Sequence, residues 1–157
     1  MPSIGYREIQ QKDIPAVAAI RAAGWGTAEY WVNRITAYLT AASNPQEALE
    51  TRIILVACDR NDEIIGFIAG HLTHRFDCDG ELQWINVLPE YQRKGIATQL
   101  LLRLAKWFVG HQAFKVCVNV NADSPGAEEF YKRHQAETMN KYWMIWPDIC
   151  ILTDTER

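Results

Sequence analysis

Gln92-Arg93-Lys94-Gly95-Ile96-Ala97 decides the reading of this chain, because it joins an apolar run, Leu82 to Leu88, to a strongly periodic one. Ile96, Leu100, Leu104, Trp107 and Phe108 recur at three- and four-residue spacing and predict a helix from Gly95 to a stop at Gly110. A glycine turn between a strand and a helix leaves backbone N–H groups unpaired at the helix N-terminus, and with the helix dipole they attract anions. Arg93 and Lys94 stand at the mouth. The stretch from Gly95 to Gln99 holds no Asp or Glu, although acids are favoured in a first turn. Nothing supplied by the chain neutralises this end, which points to a ligand phosphate.

Upstream, Ile4 to Ile9 reads as a short strand. Asp13 caps a helix to about Ala23, with Pro15 tolerated in its first turn. Gly24-Trp25-Gly26 breaks that helix, and Thr27 caps a second one to about Ala42, ended by Asn44-Pro45. Gln46 to Thr51 reads as a loop or one helical turn. Ile53 to Cys58 is continuously apolar, as in a strand covered on both faces. Asp59 to Asp62 turns the chain into Ile64 to His71, and Asp77 to Gly80 turns it again into Glu81 to Val87, completing a meander.

Downstream, Phe114 to Asn121 alternates apolar and polar residues and predicts a half-buried strand. Ser124-Pro125 reads as N-cap and first helical residue, after which Ala127, Phe130, Tyr131 and His134 share a face. Tyr142 to Trp146 closes the sheet, and Pro147 to Arg157 reads as a tail. One domain over 1–157, with a core at about 4–146, accommodates the pattern. It predicts an α/β (α+β) class with a mixed sheet and helices on both faces.

At 157 residues, 48% hydrophobic and 22% charged, the chain is expected to be globular. A net charge of −3 leaves no basic footprint for nucleic acid. No apolar run approaches a membrane span and no signal-peptide core stands at the start, so the expected location is the cytoplasm. Cys58, Cys78, Cys117 and Cys150 are widely spaced and read as reduced thiols. His71, His74, Asp77, Cys78 and Asp79 suggest metal ligands at first. However, histidines three apart on a strand point to opposite faces, so no metal is expected. Cys117 has no base nearby in sequence and reads as structural. Neither a dinucleotide glycine pattern nor a Gly-Lys-Ser/Thr loop occurs, which disfavours a generic nucleotide-binding domain.

Gln92-x-x-Gly95-x-Ala97 resembles the Gln/Arg-x-x-Gly-x-Gly/Ala signature of the GNAT superfamily of acyl-CoA-dependent N-acyltransferases. Ser124 to His134 resembles that family's Asn-x-x-Ala-x-x-Phe/Leu-Tyr-Glu-Lys segment. Ser124 stands in place of the usual Asn, and Gln135-Ala136 in place of the usual Gly-Phe. The resemblance covers roughly residues 4 to 146. It implies a GNAT-like, mostly antiparallel central sheet splayed between the fourth and fifth strands. It also implies acetyl transfer from acetyl-CoA to a primary amine, by direct attack in a ternary complex and without a metal. Transfer of a longer acyl group, or a non-catalytic acyl-CoA-binding or sensing role, stays open.

Carried over residue by residue, the resemblance places the pyrophosphate of coenzyme A on the N–H groups of Arg93 to Thr98, within the loop Gln92, Arg93, Lys94, Gly95, Ile96, Ala97. The pantetheine arm pairs with the backbone of Val87 and Leu88, where an N–H also meets the oxyanion. Ser124, Ala127, Tyr131 and Lys132 complete the cofactor contacts, Lys132 and Arg133 toward the adenosine 3′-phosphate. Tyr131 protonates the leaving thiolate. Its alternative is a core aromatic. Glu81 stands eleven residues before Gln92, the spacing of the general base in the histone-acetylating members. Its alternative is a solvated acid beside Asp77 and Asp79. Trp25, Tyr30 and Trp31 fall where the family places its acceptor pocket, for a small-molecule or peptide amine, with core packing as their alternative. Dimers are common in the family, which leaves a homodimer open.

Overall fold

The computed structural model describes residues 3–120 and 126–154. At its centre is an antiparallel hairpin, β2 (Ala48–Cys58) and β3 (Ile64–Thr73). The turn is set by Asp59, whose carboxylate accepts from the N–H groups of Asn61 and Glu63 at 2.9 and 3.0 Å. β2 begins at Ala48, so the stretch expected as a loop or helical turn is strand. Its polar residues are tolerated because they are exposed or half-buried, and the register shifts between Ala48 and Arg52.

β1 (Gly5–Glu8) pairs with β2, and β4 (Gly80–Val87) pairs with β3, both antiparallel. β5 (Val116–Asn119) lies parallel to β4, and β7 (Trp143–Trp146) and β6 (Glu137–Thr138) complete the order β1-β2-β3-β4-β5-β7-β6 among the described residues. The expected alternation of burial in β5 fails, because Val116, Cys117 and Val118 are all buried. Cys117 meets the thiol of Cys78, which covers the face expected to be wet.

α1 (Ile14–Ala22) and α2 (Ala28–Leu39) cover one face of the sheet, where Trp31, Ile35 and Tyr38 pack on Phe67, Ala69 and Trp84. Thr27 caps α2 through the N–H of Tyr30 at 3.0 Å. α3 (Ile96–Gly110) covers the other face together with α4 (Ala127–Arg133) and α5 (Cys150–Asp154). α3 lies close because β3 and β4 offer glycines beneath it. A Cβ on Gly70 would sit 2.9 Å from Leu104 Cδ1, and one on Gly80 would strike Phe108.

The segment expected as a tail is therefore part of the core. Ile149 and Leu152 are buried against α3, and the Ile149 N–H donates to the Phe114 carbonyl at 2.7 Å. Among the described residues no helix is long and apolar enough to cross a membrane. Leu152→Ala should cost about 2–5 kcal/mol in urea unfolding. A cost near zero would return the segment to the status of a tail.

Candidate active site

Between β4 and α3 the chain makes one turn at Pro89–Tyr91 and then enters left-handed backbone at Arg93 (φ 63°) and Gly95 (φ 83°). The first helical hydrogen bond runs from the Gln99 N–H to the Gly95 carbonyl at 3.0 Å. Among the described residues, no N–H from Arg93 to Thr98 finds an acceptor. No side chain caps Gly95, and the first turn carries no acid. The Gln92 side-chain amide donates to the Val87 carbonyl at 3.0 Å and ties the loop back to the end of β4.

β4 and β5 pair only through Gly80–Val116, Glu81–Cys117 and Leu82–Val118. Beyond that β4 continues with β3 alone, with an extra residue, Gln83, between the partners of Ala69 and Gly70. Antiparallel strands point their N–H and C=O groups alternately toward and away from the neighbour. The Leu88 N–H donates to Ile65 at 2.9 Å, so Leu88 and Asn86 face β3, while Val87 and Ile85 face the gap. The expectation for Leu88 is corrected accordingly: its amide is already bonded, and the open donors belong to Val87 and Ile85.

A cleft of about 1380 Å³ fills this gap. Its floor is Ile85 to Val87, and one wall is Gln92, Arg93 and Gly95 to Thr98. The other wall is α4, which contributes Ala127, Phe130, Tyr131, Arg133 and His134. Tyr131 is fully buried, its ring edge-on to Phe130 and Trp146 at centroid distances of 5.5 and 5.8 Å. Thr98 and His134 join the two walls, Oγ1 to Nε2 at 3.0 Å.

Two expected cations lie elsewhere. Lys94 lines a separate hollow of about 480 Å³ with Asp59 and Glu90. Lys132 pairs with Glu128 one turn back, at 3.2 Å, leaving Arg133 as the α4 cation on the cleft. Ser124 lies outside the described residues.

On the α1–α2 side, Trp25 lines the cleft and is 55% exposed. Trp25, Tyr30 and Trp31 form a triangle with centroids 5.1 to 5.4 Å apart. Tyr30 is exposed outside the cleft. Trp31 is core and holds the Trp25 carbonyl through its indole N–H at 2.8 Å. Sequence reading missed Arg21 and Asn86, which line the same mouth and bond at 2.9 Å. The available signal was an arginine inside the apolar helix α1.

Glu81 is neither solvated nor on the cleft lining. It is 4% exposed, with Oε1 accepting from Arg75 Nε at 3.0 Å and lying 3.5 Å from His71 Nε2. His71 Nδ1 in turn meets the Tyr38 hydroxyl at 2.9 Å, and burial holds that phenol well above its ordinary pKa. Cys117 is a free thiol hydrogen-bonded to the Cys78 thiol and buried, and both effects push it up, so it is poorly suited to be a nucleophile.

A cleft with unpaired amides at one end and a buried tyrosine against a splayed strand can hold a phosphorylated, extended ligand and present its reacting end to Tyr131. The family model for the acetyltransferase (GNAT) family matches residues 15–135. The chain belongs to that family.

Solved structures agree on the fold. A protein from Desulfovibrio desulfuricans assigned to the same family superposes with a TM-score of 0.75 at 15% identity, covering 94% of this chain and 99% of the other. The PaiA N-acetyltransferase of Thermoplasma acidophilum, solved with coenzyme A, gives 0.67 at 20% identity, covering 91% and 96%. The aminoglycoside 6′-N-acetyltransferase AAC(6′)-Ih of Acinetobacter baumannii gives 0.72 at 16%, covering 88% and 94%. No curated protein matches the sequence.

A Cβ on Gly95 meets nothing within 4 Å, so its positive φ alone opposes substitution. Gly95→Ala should cost about 1–2 kcal/mol in urea unfolding, and a neutral effect would show that the turn relaxes.

Proposed function

We propose that this chain is a single-domain N-acetyltransferase that moves the acetyl group of acetyl-CoA to a primary amine by direct attack in a ternary complex. The observation that carries this reading is the row of unbonded N–H groups from Arg93 to Thr98, opening into the cleft that runs along β4 to Tyr131. Those amides and the α3 dipole suit a pyrophosphate, with Arg93 and Arg133 as flanking cations. The outward N–H groups of Ile85 and Val87 and the Ile85 carbonyl suit an extended pantetheine arm, which would add to β4 as a strand does.

The chemistry then runs from this chain's own groups. An alkylamine has a pKa of about 10 and must lose a proton to attack near neutral pH. Glu81 stands where β4 and β5 still pair, at the narrow end of the gap, and takes that proton through water. The nitrogen lone pair forms a bond to the thioester carbon. Charge moves to the carbonyl oxygen, which receives a hydrogen bond from the Ile85 or Val87 N–H. The C–S bond breaks, the Tyr131 hydroxyl gives a proton to the thiolate, and the proton shed by the new amide nitrogen passes through water to restore that hydroxyl. The acceptor enters from the Trp25 side and is a small molecule or a peptide end. The expected setting is the cytoplasm.

Two experiments test this. Ala97→Asp places an acid in the first turn of α3. It should raise helix stability by up to about 1 kcal/mol yet weaken coenzyme A binding at least tenfold by calorimetry. Unchanged affinity would remove the anion site. Tyr131→Phe should lower kcat for thiol release at least tenfold with little change in KM for acetyl-CoA. Full turnover would remove its acid role, and coenzyme A binding without turnover on any amine would favour a sensing domain.

A further inference from the structure

Gly24-Trp25-Gly26 separates α1 from α2 and carries a large side chain that binding of coenzyme A does not require. Among the described residues, Trp25 is the one large apolar side chain that is both exposed to solvent and part of the cleft lining. Its backbone is fixed twice. The buried Trp31 indole donates to the Trp25 carbonyl at 2.8 Å. Gly26 then turns left-handed (φ 82°) against the same indole, where a Cβ would stand 3.0 Å from Nε1. The Trp25 ring is held as well, tilted 44° against Tyr30 and 70° against Trp31.

Leaving more than half of an indole in water forgoes the hydrophobic stabilisation that a ring of this size offers. Holding the same ring still suits a binding surface, because a ligand meets a preorganised face and no rotamer has to be frozen. A fixed, flat ring favours a second ring: aromatic pairs gain about a two- to tenfold preference beyond the area they bury. Such a ring also attracts cations. The cleft does not provide for a polycation, however. Among the described residues Glu129 is the one acid on its lining, and it stands on the α4 wall. A polyamine or an aminoglycoside brings several ammonium groups, each needing an acid where water is displaced.

We propose that the acceptor is an arylalkylamine, a primary amine joined by a short carbon chain to an uncharged aromatic ring, and that this ring lies against Trp25 while the amine reaches along the cleft toward Val87 and Tyr131. This rests on the acetyl-transfer reading above and narrows its substrate class from amines at large to aromatic ones. Trp25 is the specificity-determining residue, and Tyr30 and Trp31 hold its ring in place.

Thiol release from acetyl-CoA is measured with phenethylamine and cyclohexylethylamine, which share a carbon skeleton and differ in the flat ring. Tryptamine extends the aromatic series, and hexylamine and spermidine supply aliphatic and cationic comparisons. The expected result is a kcat/KM about three- to tenfold higher for phenethylamine than for cyclohexylethylamine, carried by KM. Trp25→Leu, which keeps an apolar surface without the ring, should bring that ratio toward one, and Trp25→Phe should retain part of it. Coenzyme A binding is measured separately by calorimetry. Its absence in the wild-type protein would overturn the acetyl-transfer reading itself. With binding intact, equal use of the matched pair, preference for an aliphatic or cationic amine, or no turnover of any of these amines would overturn the inference alone. A ratio that survives in a folded Trp25→Leu protein would overturn the role of Trp25. A tenfold loss of coenzyme A affinity in that variant would give the ring to the cofactor and overturn the same role.

Discussion

The brevity of the pairing between β4 and β5 is the constraint from which the rest follows. Three residue pairs hold the two strands parallel, and then they part. A sheet interior normally uses every N–H and C=O, because an unpaired buried amide costs about as much as a lost hydrogen bond. Here the N–H groups of Ile85 and Val87 and the Ile85 carbonyl are left toward the gap, which the cleft fills. β4 still ends firmly, since Leu88 bonds to Ile65 and Gln92 bonds to Val87. The helix that follows therefore starts at a defined place, with its first amides aimed along the same gap.

The two faces of the sheet solve different problems. Beneath α3 the packing is apolar, with Leu100, Leu104 and Phe108 on a surface thinned by Gly70 and Gly80. Beneath α1 and α2 polar groups are buried among aromatics: Tyr38, His71, Glu81 and Arg75 in one chain of contacts, Arg21 and Arg34 around Trp84 in another. Such networks cost stability unless every member is satisfied. A fold selected for stability alone would place hydrocarbon there. The buried polar groups that stability alone does not call for thus lie on the α1–α2 face, and the tight apolar packing lies under α3.

Local signals made much of this legible from sequence, and long-range ones did not. Gln92 to Thr98 and Tyr131 were readable because a glycine turn, a missing acid and a helical period are each written within a few residues. The limits of that reading are geometric. Leu88 was grouped with Val87 because strand direction is set by pairing with β3, which sequence adjacency does not reveal. Lys94 and Lys132 were placed on the cleft by proximity in sequence, whereas Lys94 lines a separate hollow and Lys132 pairs with Glu128. Residues 48–52 lack an apolar period because the start of β2 is largely exposed, and the hairpin register carries it as strand. Cys150–Asp154 was too short to signal a helix, and burial against α3 supplies its stability. Arg21, Arg34 and Asn86 carry no motif at all; only the stacking of α1 and α2 on β4 brings them together.

The hydrogen bonds around His134 show how the two walls of the cleft are held at a fixed spacing. Its Nδ1 lies 2.8 Å from the Phe130 carbonyl, which can only accept, so Nδ1 carries a proton. In the neutral ring Nε2 is then the acceptor, and the Thr98 hydroxyl must donate to it across 3.0 Å. That orientation turns the hydroxyl proton away from the cleft and leaves the Thr98 N–H as this residue's donor to an anion. The His134 carbonyl meanwhile accepts from the Trp146 indole at 2.8 Å, anchoring the end of α4 to β7. One imidazole thus fixes the first turn of α3 against the end of α4, and the backbone of the same residue ties α4 to β7. These bonds set the width of the cleft beside α3, while its other end is bounded by the exposed Trp25 and the α1–α2 turn.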